Sequence, residues 1–168
     1  GATLQSGNGD YDQSGGGVWC ESAVAMVSNC VFTGNSAANA GGGVSSGTVY
    51  NSSFTGNSAV SGGGAAGSTL TNCAFTGNRA SANGGGVSWC TMSQCTLTGN
   101  SAAAGGAAES STLHNCIAFF NQAASTEKNC LGCTLTYCCT PDPGENNLAA
   151  DPQLTDPVHI SAGSPCRG

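Results

Sequence analysis

Two rhythms of apolar and polar positions run together through most of this chain. Over short stretches the two kinds of residue alternate, which is the period of a strand with one buried face. Over longer stretches the same short segment returns about every 21 or 22 residues. Aligning the returns produces columns of constant character. One apolar column holds Val27, Val49, Leu70, Met92, Leu113 and Leu135. Three residues on comes Cys30, Ser52, Cys73, Cys95, Cys116 and Cys138, and two beyond that Phe32, Phe54, Phe75 and Leu97. Stacked one repeat per turn, such segments pair as parallel strands at roughly 4.8 Å, like on like, around a continuous core. The pattern predicts an all-β parallel β-solenoid of about six coils of 21 to 26 residues over residues 1–140, followed by a non-repetitive cap or junction segment over 141–168.

The punctuation repeats as well. The triplets Gly15-Gly16-Gly17, Gly41-Gly42-Gly43, Gly62-Gly63-Gly64 and Gly84-Gly85-Gly86 are followed by Gly105-Gly106-Ala107, at spacings of 26, 21, 22 and 21 residues. No Lys follows them and no helix begins there, so they read as tight corners and not as a phosphate cradle. Asn35, Asn57, Asn78, Asn100 and Asn121 form another column, each but the last preceded by Gly. A polar binding row is one reading of that column. An internal ladder of amides at a turn, each bonding to the next, is the expected one.

Composition agrees with strand and turn. There are 27 Gly residues and only 7% of the chain is charged, while the straight-chain helix formers are scarce. The formal net charge is −6, and the three cations, Arg79, Lys128 and Arg167, lie far apart. That argues against nucleic acid, which needs clustered Lys and Arg, and against a polybasic membrane contact. No apolar run approaches the roughly 20 residues of a membrane-spanning helix, so direct membrane insertion is not expected. Eleven cysteines point to an oxidising, extracytoplasmic location, and their odd number leaves at least one free or paired between molecules.

The chemistry-bearing residues are few. From Gly15 to Lys128 the acids are Glu21, Glu109 and Glu127, none sharing a column, whereas sugar-cleaving solenoids need a carboxylate pair or an acidic metal cluster on one face. Asp10 and Asp12 read as a solvated turn, His114 as a surface residue, and His159 belongs to the tail. No catalytic residue, cofactor or metal site is expected. Cys130 and Cys133 form a C-x-x-C, read as a local or inter-coil disulfide before zinc or redox chemistry. With Cys139 and Cys166 they are the candidates for disulfide or intermolecular bonding, while Cys30, Cys73, Cys95, Cys116 and Cys138 are read as small buried hydrophobes. Thr33, Thr55, Thr76 and Thr98 form one clean outward row, too little for an ice-binding face.

The runs GGGVSSGTVYNSSFTGNSA and GGGAAGSTLTNCAFTGNRA resemble the repeats of bacterial right-handed parallel β-helix proteins, in the style of polymorphic outer-membrane proteins. The segment from Cys133 to Cys166 is similar to the C-terminal part of choice-of-anchor Q β-helix proteins. The resemblance implies a right-handed coil and a bacterial cell-surface or extracellular setting; it is specific for fold and weak for function. The expectation is an extracellular structural protein that stacks head to tail with copies of itself, because Gly1-Ala2-Thr3-Leu4 offers no obvious lid and Leu148, Leu154, Val158 and Ile160 could pack on a neighbour's open coil. An adhesin shaft that contacts a surface glycan or protein is the alternative, with a polysaccharide-active enzyme behind it.

Overall fold

The computed structural model describes residues 3–5, 8–9, 14–125, 129–156 and 159–167. Among them there is no helix. The chain winds through four parallel sheets of six strands each, and a two-stranded antiparallel hairpin, Leu154–Asp156 with His159–Ile160, follows the last coil. One coil shows the plan. Ala74–Thr76 lies in sheet one, Arg79–Asn83 in sheet two, Val87–Ser88 in sheet three and Thr91–Ser93 in sheet four; Thr96–Thr98 then returns to sheet one beside Ala74–Thr76. With six strands per sheet, the chain makes about five full turns between the first strand of a sheet and its sixth. The fold is a parallel β-solenoid.

Each coil turns four corners, and each corner is a residue with left-handed backbone. In this coil and its approach they are Asn72 (φ 52°), Gly77 (φ 62°), Gly84 (φ 61°) and Trp89 (φ 53°). Strands of two to five residues between such corners leave no length for a helix and keep the coil nearly closed on itself. Register is then strict: Phe75 sits beside Phe54 and Leu97, Leu70 between Val49 and Met92, and Ala65 between Val44 and Val87. The irregular spacings have local causes. The 26-residue interval contains a loop over 20–25, between Val18–Trp19 and Met26–Ser28, where the next coil uses only residues 46–47. The 22-residue interval from Gly62 to Gly84 absorbs its extra residue in a bulge that pairs Ser61 with Asn83.

The core is a set of stacked columns. Phe32, Phe54 and Phe75 are fully buried, with ring centroids 4.6 and 4.4 Å apart and planes within 9°. Sheet four contributes Val49, Leu70, Met92, Leu113 and Leu135, and sheet three Val44, Ala65, Val87 and Ala108. The third residue of each glycine triplet faces the Phe column. A Cβ at Gly64 would stand 2.6 Å from Cδ1 of Phe75, one at Gly43 would stand 2.8 Å from Cδ1 of Phe54, and one at Gly86 would stand 3.0 Å from Cδ2 of Leu97. One coil further on the apolar partner shrinks to Ala118, and there the triplet ends in Ala107. The break in the glycine pattern is therefore a volume exchange across the core.

At the C-terminal end the chain closes on itself. Beyond Pro141 it turns back and lays a partial extra turn over the last coil: Glu145 bridges to Thr136, and Leu148 bridges to Cys139. The N–H of Tyr137 donates to the Glu145 carbonyl (3.0 Å), that of Thr140 to the Leu148 carbonyl (3.0 Å), and that of Leu148 to the Cys138 carbonyl (2.8 Å). These bonds satisfy backbone groups that a bare strand edge would expose.

The pairing of glycine with a large ring yields a double-mutant test. Gly64→Ala is expected to cost about 1–3 kcal/mol by overpacking, and Phe75→Ala about 3–5 kcal/mol by leaving a cavity. In the Phe75→Ala background the added methyl of Gly64→Ala should cost clearly less, because only its approach to the Gly86 carbonyl oxygen at 2.8 Å remains, a departure from additivity in urea unfolding; additive costs would refute the volume exchange.

Candidate functional site

The asparagine column lies inside the solenoid. Asn35, Asn57, Asn78 and Asn100 are almost wholly buried. The Asn57 Nδ2 donates to Asn78 Oδ1 (2.9 Å) and to the Phe32 carbonyl (3.0 Å), and Asn78 and Asn100 repeat the scheme with Asn100 Oδ1 and Asn121 Oδ1 at 2.9 Å. Each Oδ1 also accepts the backbone N–H of the asparagine one coil earlier, at 2.9–3.0 Å. That second bond fixes which way every amide points. The left-handed corner is carried by the preceding glycine (Gly34, Gly56, Gly77, Gly99), and the asparagine itself points inward. At the fifth position Phe120 takes the left-handed backbone (φ 59°) in place of glycine.

The ladder does not stop at Asn121. Its Nδ2 donates to Asn129 Oδ1 (2.9 Å), and Asn129 Nδ2 donates to the Ala118 carbonyl (2.7 Å) and to Thr140 Oγ1 (3.1 Å). Thr140 Oγ1 donates to Asp142 Oδ2 (3.2 Å), which also accepts the N–H of Cys130 (3.0 Å). The amide-to-amide bonds thus all run in one direction, and the series ends on a carboxylate of the tail. The single-coil register that revealed the other members misses Asn129, which lies eight residues after Asn121. Among the described residues no buried side-chain nitrogen or oxygen lacks a partner.

The cysteine column has a polar duty that a reading as small hydrophobes misses. The N–H of Cys73 donates to Cys95 Sγ and that of Cys95 to Cys116 Sγ, both at 3.4 Å. Cys30 N–H instead meets Ser52 Oγ at 3.1 Å, and Cys138 N–H meets Asn147 Oδ1 of the tail at 2.9 Å. The side chain at this position accepts the N–H that each corner leaves over, and sulfur or hydroxyl oxygen serves equally. The signal was the intrusion of Ser52 among cysteines. At a second corner column, Ser68, Cys90, Ser111 and Cys133, one bond of this kind is present: the N–H of Cys90 donates to Ser111 Oγ at 3.0 Å. Burial pushes the Cys90 thiol up to about 12. The Cys133 thiol donates to the Leu131 carbonyl at 3.5 Å and the Cys139 thiol to the Ala150 carbonyl at 3.2 Å, and all eleven cysteines are free thiols in the structure.

The outer surface carries less chemistry. Thr33, Thr55, Thr76 and Thr98 stand outward on sheet one. Sheet four carries a second row, Thr48, Thr69, Thr91, Thr112 and Thr134, whose neighbouring column is broken by Tyr50 and His114. His114 is exposed and meets Tyr137 edge-on at 5.7 Å. Trp89, Phe120 and Tyr137 are exposed aromatics at three different corners. Glu109 is held by hydroxyl donors, Ser88 Oγ at 2.6 Å and Ser110 Oγ at 2.5 Å, and Glu21 is exposed. A trough of about 840 Å³ over sheet two is lined by Arg79, Ser81, Ser101, Gln122, Asn129 and Asp142, a set without two carboxylates. Among the described residues no cluster of three His, Cys, Asp or Glu side chains is arranged for a metal. Asp10, Asp12, Glu127, Lys128 and Val158 lie outside the described residues.

Replacing Asn78 with Leu is expected to lower stability by about 1–3 kcal/mol in chemical denaturation, because Asn57 Nδ2 and the Asn57 N–H lose their acceptor; an unchanged midpoint would contradict the ladder. Cys73, Cys90, Cys95, Cys116 and Cys138 should resist iodoacetamide in the folded chain at about pH 8 and react fully in denaturant, since burial keeps the reagent from their sulfurs. Mass spectrometry of the labelled peptides reads this directly.

No protein-family model, curated protein or solved structure matches the chain.

Proposed function

We propose that this chain is a structural module, a solenoid segment of a bacterial extracytoplasmic or cell-surface protein, that holds a rigid stacked surface and catalyses nothing. The observation that carries the reading is the direction in which its recurring polar side chains point. The Asn ladder and the two Ser/Cys columns are turned inward onto the neighbouring coil, and the Asn ladder ends on the chain's own tail. Recurring residues of a binding or catalytic solenoid face outward across several coils; here those outward positions are mostly Thr, Ser and Ala. The resemblance of the repeats to polymorphic outer-membrane proteins, and of the tail to choice-of-anchor Q segments, supports the surface setting, as does the cysteine content.

Head-to-tail stacking is the second reading. It is favoured by Met26–Ser28, the last described strand of its sheet, at and near which Met26 and Val24 are 74% and 83% exposed. Against it stands the partial turn of tail over the last coil, which satisfies backbone groups that a neighbour would need.

The purified chain is expected to turn over neither acidic nor neutral polysaccharides, and to sediment as a monomer at micromolar concentration. Turnover abolished by Glu109→Gln would overturn the structural reading. Concentration-dependent filaments that vanish with Val24→Asp and Met26→Asp would establish stacking in place of the monomer.

A further inference from the structure

The tail does not trail away after its turn over the last coil. It runs from Leu148 through the hairpin and returns, with Ser164 Oγ donating to the Pro152 carbonyl (2.6 Å) and the N–H of Cys166 donating to Ser164 Oγ (3.1 Å). Arg167 Nη1 closes the same bend on the Ala162 carbonyl at 3.0 Å. This return brings Cys166 to the wall of the last coil, where it and Cys139 line one hollow of about 430 Å³ with Tyr137, Leu148 and Pro165. The Cys139 thiol donates to the Ala150 carbonyl of the tail at 3.2 Å, and Cys166 is near enough to act on it. Cys138, next in sequence to Cys139, faces the other way: it is buried in the core and its thiol donates to the Leu113 and Thr136 carbonyls, both at 3.4 Å. One of the two adjacent cysteines thus faces the tail and the other the core.

We propose that Cys139 and Cys166 form an intrachain disulfide that clasps the C-terminal tail onto the last coil. The oxidant is a small-molecule disulfide of the glutathione class. Cys166 is partly exposed and reacts first: its thiolate attacks one sulfur of the oxidant, forms a mixed disulfide and releases one thiol. Cys139, buried and with its thiol raised to about 12 chiefly by that burial, attacks the Cys166 sulfur and releases the second thiol. Two protein thiols become one disulfide, one small disulfide becomes two thiols, and the two protons leave with them. The bond closes the stretch 139–166 into a loop and so restricts the unfolded chain. It also holds in place Asp142 and Asn147, the side chains on which the Asn ladder and the cysteine column end. Its presence in the cell rests on the extracytoplasmic reading above; its geometry does not. The odd cysteine count then requires no bond between molecules.

The test uses the full chain equilibrated in a reduced and oxidised glutathione buffer, alkylated in denaturant, digested and mapped by mass spectrometry. Oxidation is expected to protect two cysteines and to join the peptide carrying residues 138–139 to the one carrying Cys166. Cys138→Ser should keep the bond, and Cys139→Ser or Cys166→Ser should lose it. Reductant should lower the thermal midpoint of the oxidised wild type by about 5–15 °C and hasten proteolysis of the tail, with neither effect in Cys139→Ser. Loss of the bond in Cys138→Ser, disulfide-linked dimers, or full alkylation after oxidation would each overturn the clasp. Because the assay is done in defined buffer, those results leave the proposed location untouched. Formation of the bond in buffer combined with a reduced chain in its native setting would sink the location instead.

Discussion

The amide ladder is the interaction on which the rest of this solenoid depends. A corner in a buried coil leaves backbone N–H groups that no strand partner can reach, and burying such a group unpaired costs about 1–3 kcal/mol. An asparagine just past the glycine corner solves this for every coil at once, because its Oδ1 takes the N–H of the coil before while its Nδ2 finds the amide of the coil after. The bonds all run the same way, so they polarise one another. A directed series needs an acceptor at its far end, and Asp142 supplies one through Thr140.

That requirement ties the irregular tail to the regular body. Asp142 terminates the ladder, Asn147 terminates the cysteine column, and Glu145 and Leu148 cover the strand edges between them. Four different groups in one short segment meet four different open valences of the last coil. The tail is thus a closure made to the specification of the repeats, although nothing in it repeats.

Inside the coil, identity follows from the neighbour one turn away. Phenylalanine is matched by glycine across the core and alanine by alanine, and cysteine alternates with serine wherever a backbone N–H needs a γ-atom to bond. Columns of this kind convert sequence repetition into cohesion along one axis. The outer faces are released from that constraint, which is why Tyr50, His114 and Trp89 appear there without a period.

The register of the coils and the inward face of each strand were legible in the chain, as were the five evenly spaced asparagines, because period two and period 21–22 are properties of one dimension and a stacked fold maps them directly into space; the coils number about five turns against the six expected. Three matters were decided only by the tertiary structure. Asn129 joins the ladder because a short detour after Asn121 brings it under the column, a distance no repeat encodes. Cys139 and Cys138 part company because one lies under the returning tail and the other in the core, and Cys166 comes to Cys139 only after the tail has bent back. The alanine in place of the last glycine in Gly105-Gly106-Ala107 is matched by Ala118 opposite, since packing volume is set by the partner across the core and not by the neighbour along the chain.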